Sequence, residues 1–263
     1  MFYNEEILTC LKKMKTNKII FYTAILFSVM FILALSPLTQ SQDYHQFAEQ
    51  RFIGHIPHFG DVLSNLSFII VGVLLLVESR QWNYVELYKG QKTLFKALAY
   101  SSIALGFGSG YYHWAPTDYT LAWDRATMVL GFAIIFYDSC VRYDIFGKKK
   151  VCQGTTISTI TFLGTVIFWM ISNRLEPYVF VQFFTMFVLV ILAIKNYKEV
   201  PSKHLFNMFI WYALAKLFEN QDKLIFMMSG DLMSGHTLKH IAYAMALYCF
   251  GKDMLKRLEN QNG

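Results

Sequence analysis

Charged residues are scarce in this sequence. Only 16% of its 263 residues are Asp, Glu, Lys or Arg, whereas 55% are apolar, and soluble domains usually carry about one quarter charged residues. The cysteines are scattered along the chain and form no Cys-x-x-Cys pair, which argues against a disulfide framework or a thiolate metal site. They are Cys10, Cys140, Cys152 and Cys249. The composition therefore predicts a protein whose solvent is largely lipid.

The net charge of +6 does not indicate a nucleic-acid partner. A nucleic-acid surface needs clustered Lys and Arg on one soluble face, and here these residues fall between apolar runs. We expect them to set the orientation of membrane helices instead.

Eight apolar runs have about the length that a spanning helix requires, roughly 20 residues. They predict an all-α, polytopic membrane helix bundle with spans at residues 18–37, 62–79, 94–113, 119–141, 154–172, 177–195, 204–221 and 236–251. Pro177 opens the sixth run and Pro201 precedes the seventh, where proline is tolerated at a helix start.

The first run follows a basic flank and can be interpreted as a signal peptide or as a retained anchor. We favour the anchor, because the run exceeds a typical signal core and Pro37 makes a poor cleavage junction.

The basic residues alternate between loops once the first flank is placed in the cytoplasm. Loops predicted to lie inside hold most Lys and Arg, as the positive-inside rule requires, and loops predicted to lie outside hold little beyond Arg51, Arg174 and Lys223. The pattern predicts eight spans with both termini cytoplasmic.

Five polar residues fall at the outer ends of three predicted spans. Ser109 and His113 lie four residues apart, as do His236 and His240, so each pair shares a helix face; Asp124 lies near the start of the fourth span. Ionisable residues in spans are costly and mark functional sites.

Three imidazoles leave an open position on a catalytic zinc ion, and a nearby carboxylate can act as general base on water. Simpler interpretations exist for each residue: an interfacial His, a small Ser109 at a close helix contact, or an ion pair between Asp124 and Arg125. Their joint placement favours a metal site.

At these residues the sequence resembles the alkaline ceramidase family, part of a superfamily of seven-span membrane hydrolases that includes progestin and adiponectin receptors. The family's Ser-x-x-x-His matches Ser109 and His113, its Asp matches Asp124, and its final His-x-x-x-His matches His236 and His240. The resemblance covers residues 43–251, a seven-span core. Residues 1–42 would be an added cytoplasmic flank and anchor helix, and 252–263 a basic cytoplasmic tail.

The resemblance implies that the three histidines bind Zn²⁺, that Asp124 is the general base, and that Ser109 stabilises the oxyanion. It implies a membrane-lipid substrate, a ceramide-like amide cleaved to a long-chain base and a fatty acid. The pair Ser64 and Asn65 also matches the family. The segments DYHQFAEQRF, IPHFGDVLSN and SGHTLKH are more similar in sequence to the bacterial branch of the family. This similarity would place the chain in a bacterial inner membrane with its site toward the outer face.

Eukaryotic ceramidases carry an acidic calcium site before the first core span, and this sequence departs from it. Asp43 and Glu49 are present, but His45, Gln46 and Ala48 do not complete an acidic cluster. The departure puts Ca²⁺ binding in doubt.

Other polar residues near the outer ends carry two interpretations each. Glu219 and Asp222 are candidates for orienting imidazoles or for solvating a helix end. The histidines before the second span can cap a pocket or bind a second ion, although ordinary interfacial residues are favoured; they are His45, His55 and His58.

Three functions compete at this point. The first is a zinc-dependent lipid amidase. The second is a non-enzymatic receptor or sensor with a structural zinc ion, which the short N-terminal region disfavours. The third is a metal transporter, disfavoured because the ionisable residues cluster at one membrane face rather than along a path.

Overall fold

The computed structural model describes residues 2–35, 37–80, 86, 88–198 and 200–259, and the backbone alone at 2–11, 13, 35 and 259. This part of the chain is 80% helical and contains no strand. Its α-helices are α1 (Phe2–Leu35), α2 (Phe59–Ser64), α3 (Leu66–Arg80), α4 (Gln91–Trp114), α5 (Asp118–Arg142), α6 (Val151–Ser172), α7 (Glu176–Lys195), α8 (Lys203–Asn220), α9 (Asp222–Met228) and α10 (Gly235–Glu259).

Five segments of the described chain are long and apolar enough to cross a membrane. They are Met14–Ala34, Phe59–Arg80, Asp118–Arg142, Lys148–Ser172 and Glu176–Lys195. The all-helical fold is thus confirmed, and five of the eight predicted spans are candidate membrane-spanning helices by length and composition. The other three predicted spans form the long helices α4, α8 and α10, but these carry more polar residues and do not reach the same hydropathy.

The second predicted span is interrupted at Asn65, between α2 and α3. The Asn65 side-chain amide donates to the carbonyl oxygen of Asp61 at 2.7 Å, and its backbone N–H bonds to Val62 instead. A side chain that takes a main-chain acceptor in this way competes with the helix, so the span begins with a short separate turn.

Helix ends follow their sequence signals in other places. Pro177 lies in the first turn of α7, and Ser202 caps α8 by accepting from the backbone N–H of Leu205 at 3.1 Å. The last helix, by contrast, continues to Glu259, well past the predicted end at 251, because Met254, Leu255 and Leu258 are buried.

The chain divides into two compact units. The first comprises residues 1–39, 88–90 and 132–201. Its core is aromatic: the Phe21 ring lies 5.6 Å from Phe184 and 6.2 Å from Phe136. The buried Asn17 side chain donates to the Tyr143 carbonyl at 3.0 Å and accepts from Lys195 at 2.7 Å, which attaches α1 to the rest of this unit. A possible cleavage junction at Ser36 lies outside the described residues.

The second unit comprises residues 40–87, 91–131 and 202–263. Here α3 packs closely on α4, since a Cβ at Gly72 would come 2.5 Å from the Ala99 carbonyl oxygen. A Cβ at Gly235 would overlap the carbonyl oxygen of Phe218, so α10 approaches α8 as closely. All five predicted site residues belong to this unit.

Candidate metal centre

Three helices of the second unit deliver the predicted site residues. Ser109 and His113 come from the last turns of α4, Asp124 from the second turn of α5, and His236 and His240 from the first turns of α10. All five are buried, with relative exposures between 1% for His113 and 8% for His236.

The three imidazoles converge. Nε2 of His113 lies 3.2 Å from Nε2 of His236, and one ring nitrogen from each of His113, His236 and His240 lies within 4.8 Å of the others. Two nitrogens bound to one tetrahedral zinc ion at 2.0–2.1 Å would be about 3.3 Å apart. The group can therefore hold a metal ion with little rearrangement.

The orientation of His240 is fixed by Ser64. The Ser64 hydroxyl lies 2.7 Å from Nδ1 of His240 and donates its hydrogen to the Asp61 carbonyl at 3.0 Å. A hydroxyl has one hydrogen, so this arrangement makes Nδ1 the donor and leaves the lone pair on Nε2. A metal-binding histidine is usually held through its other nitrogen in this manner.

Asp124 is a buried carboxylate on α5. Its Oδ1 is buried without a hydrogen-bond partner among the described residues, and the Ser109 hydroxyl lies beside the same carboxylate. Since buried carboxylate oxygens are normally hydrogen-bonded, the free oxygen is suited to a water or substrate group. The neighbouring Arg125 donates to the Gln40 side chain.

A hydrogen-bond network places the start of α10. Ser234 accepts from the backbone N–H of Thr237 at 2.8 Å, and both hydroxyls donate to Oδ1 of the buried Asp61, at 2.6 and 2.8 Å. The sequence interpretation overlooked Asp61, which lies one residue before the predicted span at 62–79, although a carboxylate at the end of a span is a signal of function by the rule that selected Asp124.

Asp222 and Glu219 do not contact the imidazoles. Asp222 accepts from the backbone N–H of His236 at 2.8 Å and of Ala48 at 3.2 Å. Glu219 pairs with Lys216 at 2.8 Å and with Lys239 at 3.3 Å. Asp222 thus positions a ligand through its backbone, whereas Glu219 engages lysines.

Among the described residues, the hydrogen bonds of Asn65 and Asp43 go to groups outside the histidine cluster. Asn65 bonds to the backbone of α2, and its Oδ1 is buried with no partner among the described residues. Asp43 accepts from the Gln46 side chain at 3.5 Å, and its own N–H bonds to Ser41.

The segment before α2 covers the imidazoles. The buried Phe47 ring lies 4.6 Å from the His113 ring and 5.2 Å from the His236 ring. This contact could not be predicted from the sequence, because a single Phe in an irregular segment has no periodic pattern.

The same segment contains the acidic residue considered for calcium. Glu49 is fully buried, and its two oxygens accept from the Arg51 guanidinium and backbone and from the Gly60 N–H. Burial alone would raise the carboxyl pKa, but these hydrogen bonds hold the pKa of Glu49 below its ordinary value. A guanidinium occupies the position that a cation would take at this carboxylate.

The histidines of this segment make protein contacts of their own. His45 lies 3.0 Å from the Tyr112 hydroxyl and 3.1 Å from Asp118. His58 lies with Nδ1 2.7 Å from the Glu49 carbonyl. Among the described residues, the group that could hold a metal ion consists of His113, His236 and His240. His45, His55 and His58 lie outside this group.

A scan against models of known protein families finds no match for this chain, and a search of curated proteins finds none either. The function must therefore be argued from the site itself.

Proposed function

We propose that this chain is a zinc-dependent membrane hydrolase that cleaves the amide bond of a ceramide-like lipid, with chemistry of the alkaline ceramidase type. The observation that carries the proposal is the convergence of three buried imidazoles in the same compact unit as Asp124, whose Oδ1 is buried and has no hydrogen-bond partner among the described residues. The alignment of the five residues with the ceramidase motif supplies the substrate class.

The donor set supports zinc over other ions. Three neutral nitrogens without a thiolate form the ligand set of catalytic zinc sites that leave one position open. Calcium and magnesium prefer oxygen donors, and Asp124 is the one carboxylate among the five motif residues. When bound, zinc would supply Lewis acidity and lower the pKa of water at the open position.

The protein groups then have separate tasks. Asp124 accepts a proton from the attacking water and returns it to the departing amine. The Ser109 hydroxyl donates to the oxygen on which negative charge develops. Ser64 holds His240 in the tautomer that directs Nε2 toward the cluster, and Phe47 excludes bulk water from above the rings.

A lipid substrate suits a chain with five membrane-length apolar helices. We further propose eight spans, cytoplasmic termini and a site toward the outer face, in a bacterial inner membrane. The amide of a two-tailed lipid lies just below its headgroup, which is the depth at which the ends of α4 and α10 would then lie. The products would be a long-chain base and a fatty acid.

A receptor with a structural zinc ion is the second candidate. It is favoured by one observation, namely that the imidazoles join α4 to α10 and an ion would strengthen that junction. It gives no role to the unsatisfied oxygen of Asp124, so we rank it below the hydrolase.

The deciding experiment measures metal content and fatty-acid release together. Purified chain, His236→Ala and Asp124→Asn are compared on ceramides, phytoceramides and glycerolipids. We expect about one zinc per chain, lost with His236→Ala and kept with Asp124→Asn, and turnover lost in both. Zinc without turnover of any lipid would instead select the receptor, and a His236→Ala protein with full zinc and activity would refute the site.

A further inference from the structure

Lys239 is a buried cation inside the candidate site. It lies on α10 between His236 and His240, and its side chain is 9% exposed. A buried charge is costly unless an opposite charge or hydrogen bonds compensate it, so its partners determine what it can do.

Its anionic partner is shared. Oε1 of Glu219 lies 3.3 Å from the Lys239 ammonium, while Oε2 lies 2.8 Å from the ammonium of Lys216. Lys216 is half exposed, so external groups can compensate it. Among the described residues Lys239 hydrogen-bonds to Glu219 alone, although an ammonium group has three donors.

The surroundings of Lys239 favour a further anion. Lys239 lies three residues after His236 and one residue before His240 on α10, within electrostatic range of Asp124 and of the three imidazoles. It also lies within electrostatic range of the carboxylates of Glu219 and Asp61, whereas Lys216 pairs with Glu219. A divalent ion held by neutral imidazoles would add two positive charges near Lys239 and would favour a further anion there.

We propose that Lys239 forms a carboxylate-binding subsite beside the three histidines. The donors of its ammonium bind a carboxylate that enters the site in competition with Glu219, which compensates the lysine charge while the subsite is empty. If the proposed hydrolase function is right, two sources supply this group: the fatty acid released by hydrolysis, or an acidic headgroup next to the amide of the substrate.

Binding of decanoate to the full chain in lipid nanodiscs tests the subsite without turnover, with decanol as the neutral match. Lys239→Met should raise the dissociation constant for decanoate about tenfold or more, because a buried charge-assisted hydrogen bond is worth at least that factor. Lys216→Met replaces the more exposed of the two lysines that pair with Glu219. It should change the dissociation constant for decanoate by no more than about twofold.

Two further variants guard against a folding defect in Lys239→Met. Lys239→Arg keeps the charge and should retain decanoate binding, while Glu219→Gln frees the ammonium and should tighten it. Unchanged decanoate affinity in Lys239→Met, or weaker affinity in Glu219→Gln, would overturn the subsite.

Turnover of N-decanoylglycine and N-decanoylethanolamine separates the two sources. A preference for the acidic headgroup that disappears in Lys239→Met identifies the substrate as the source, and equal turnover with weaker inhibition by decanoate identifies the product. Lys239-dependent decanoate binding without any hydrolysis would refute the proposed function and keep the subsite. Hydrolysis together with decanoate binding that does not depend on Lys239 would refute the subsite and keep the proposed function.

Discussion

One buried oxygen of Asp124 has no protein partner among the described residues, and the Ser109 hydroxyl lies beside the same carboxylate. Replacing Asp124 by Asn keeps the shape of the side chain but removes the base. We expect turnover to fall by about a hundredfold to ten-thousandfold with zinc content unchanged, measured by fatty-acid release and metal analysis. Loss of the metal along with activity would make Asp124 a ligand instead.

Ser64 should affect metal affinity more than folding. Ser64→Ala removes the group that holds Nδ1 of His240, and loss of such a contact typically weakens metal binding about 10- to 100-fold. Competition with a zinc chelator measures the change. Ser79→Ala is the matched control, since the Ser79 hydroxyl on α3 donates to the Leu76 carbonyl at 2.7 Å; equal weakening in both variants would contradict the assignment.

Glu49 should make the covering segment sensitive to acid. Its folded pKa lies below the ordinary value of 4.5, so its stabilising effect is complete above that pH and is lost as the pH falls through the lower folded value. We expect hydrogen exchange in residues 47–60, corrected for intrinsic rates, to rise as the pH falls below about 4.5. In the Glu49→Gln variant, the backbone amides of residues 47–60 should exchange rapidly even at neutral pH. Protection of these amides equal to that in the native chain would show that the ion pair has no role.

At the scale of elements, close contact between α8 and α10 positions the two histidines of α10. Gly235→Ala places a methyl group against the Phe218 carbonyl, and such overpacking costs about 1–3 kcal/mol. We expect a lower melting temperature in detergent together with weaker metal binding. Gly164→Ala in α6 is the control, because nothing lies within 4 Å of its added Cβ, and it should be neutral or slightly stabilising.

Apolar runs predicted the helices well where packing and lipid both require apolar side chains, as in α5 and α7. They did not predict the break at Asn65, which depends on one side-chain hydrogen bond, or the extension of α10 to Glu259, where apolar residues alternate with charged ones.

The candidate site shows the same division. Regular spacing on helices was enough to select the three histidines, Ser109 and Asp124, since helix periodicity fixes which residues share a face. Phe47 reaches the imidazoles through an irregular segment, and no local pattern encodes that path. Asp61 and Lys239 were within reach of the rule on charged residues in spans, but each looked like part of a motif already interpreted.

At the scale of the whole molecule, the orientation of the chain stays a prediction. In whole cells we expect an impermeant thiol reagent to label Asp118→Cys from outside and not Lys149→Cys, in a background without native cysteines. Residues 118 and 149 flank the apolar helix Asp118–Arg142, so eight spans with cytoplasmic termini require opposite results. Labelling of Asp118→Cys only from the cytoplasmic side would show that the orientation is opposite to the proposed one.

The Asp222 carboxylate accepts from the backbone N–H of Ala48, in the covering segment, and from that of His236, the first histidine of α10. Movement of the segment that carries Phe47 would therefore disturb His236 at the same time as it uncovers the imidazole rings. If the three histidines hold an ion as proposed, loss of the ion and opening of the segment would be coupled, and the rate at which a chelator removes the ion would report the rate of segment opening.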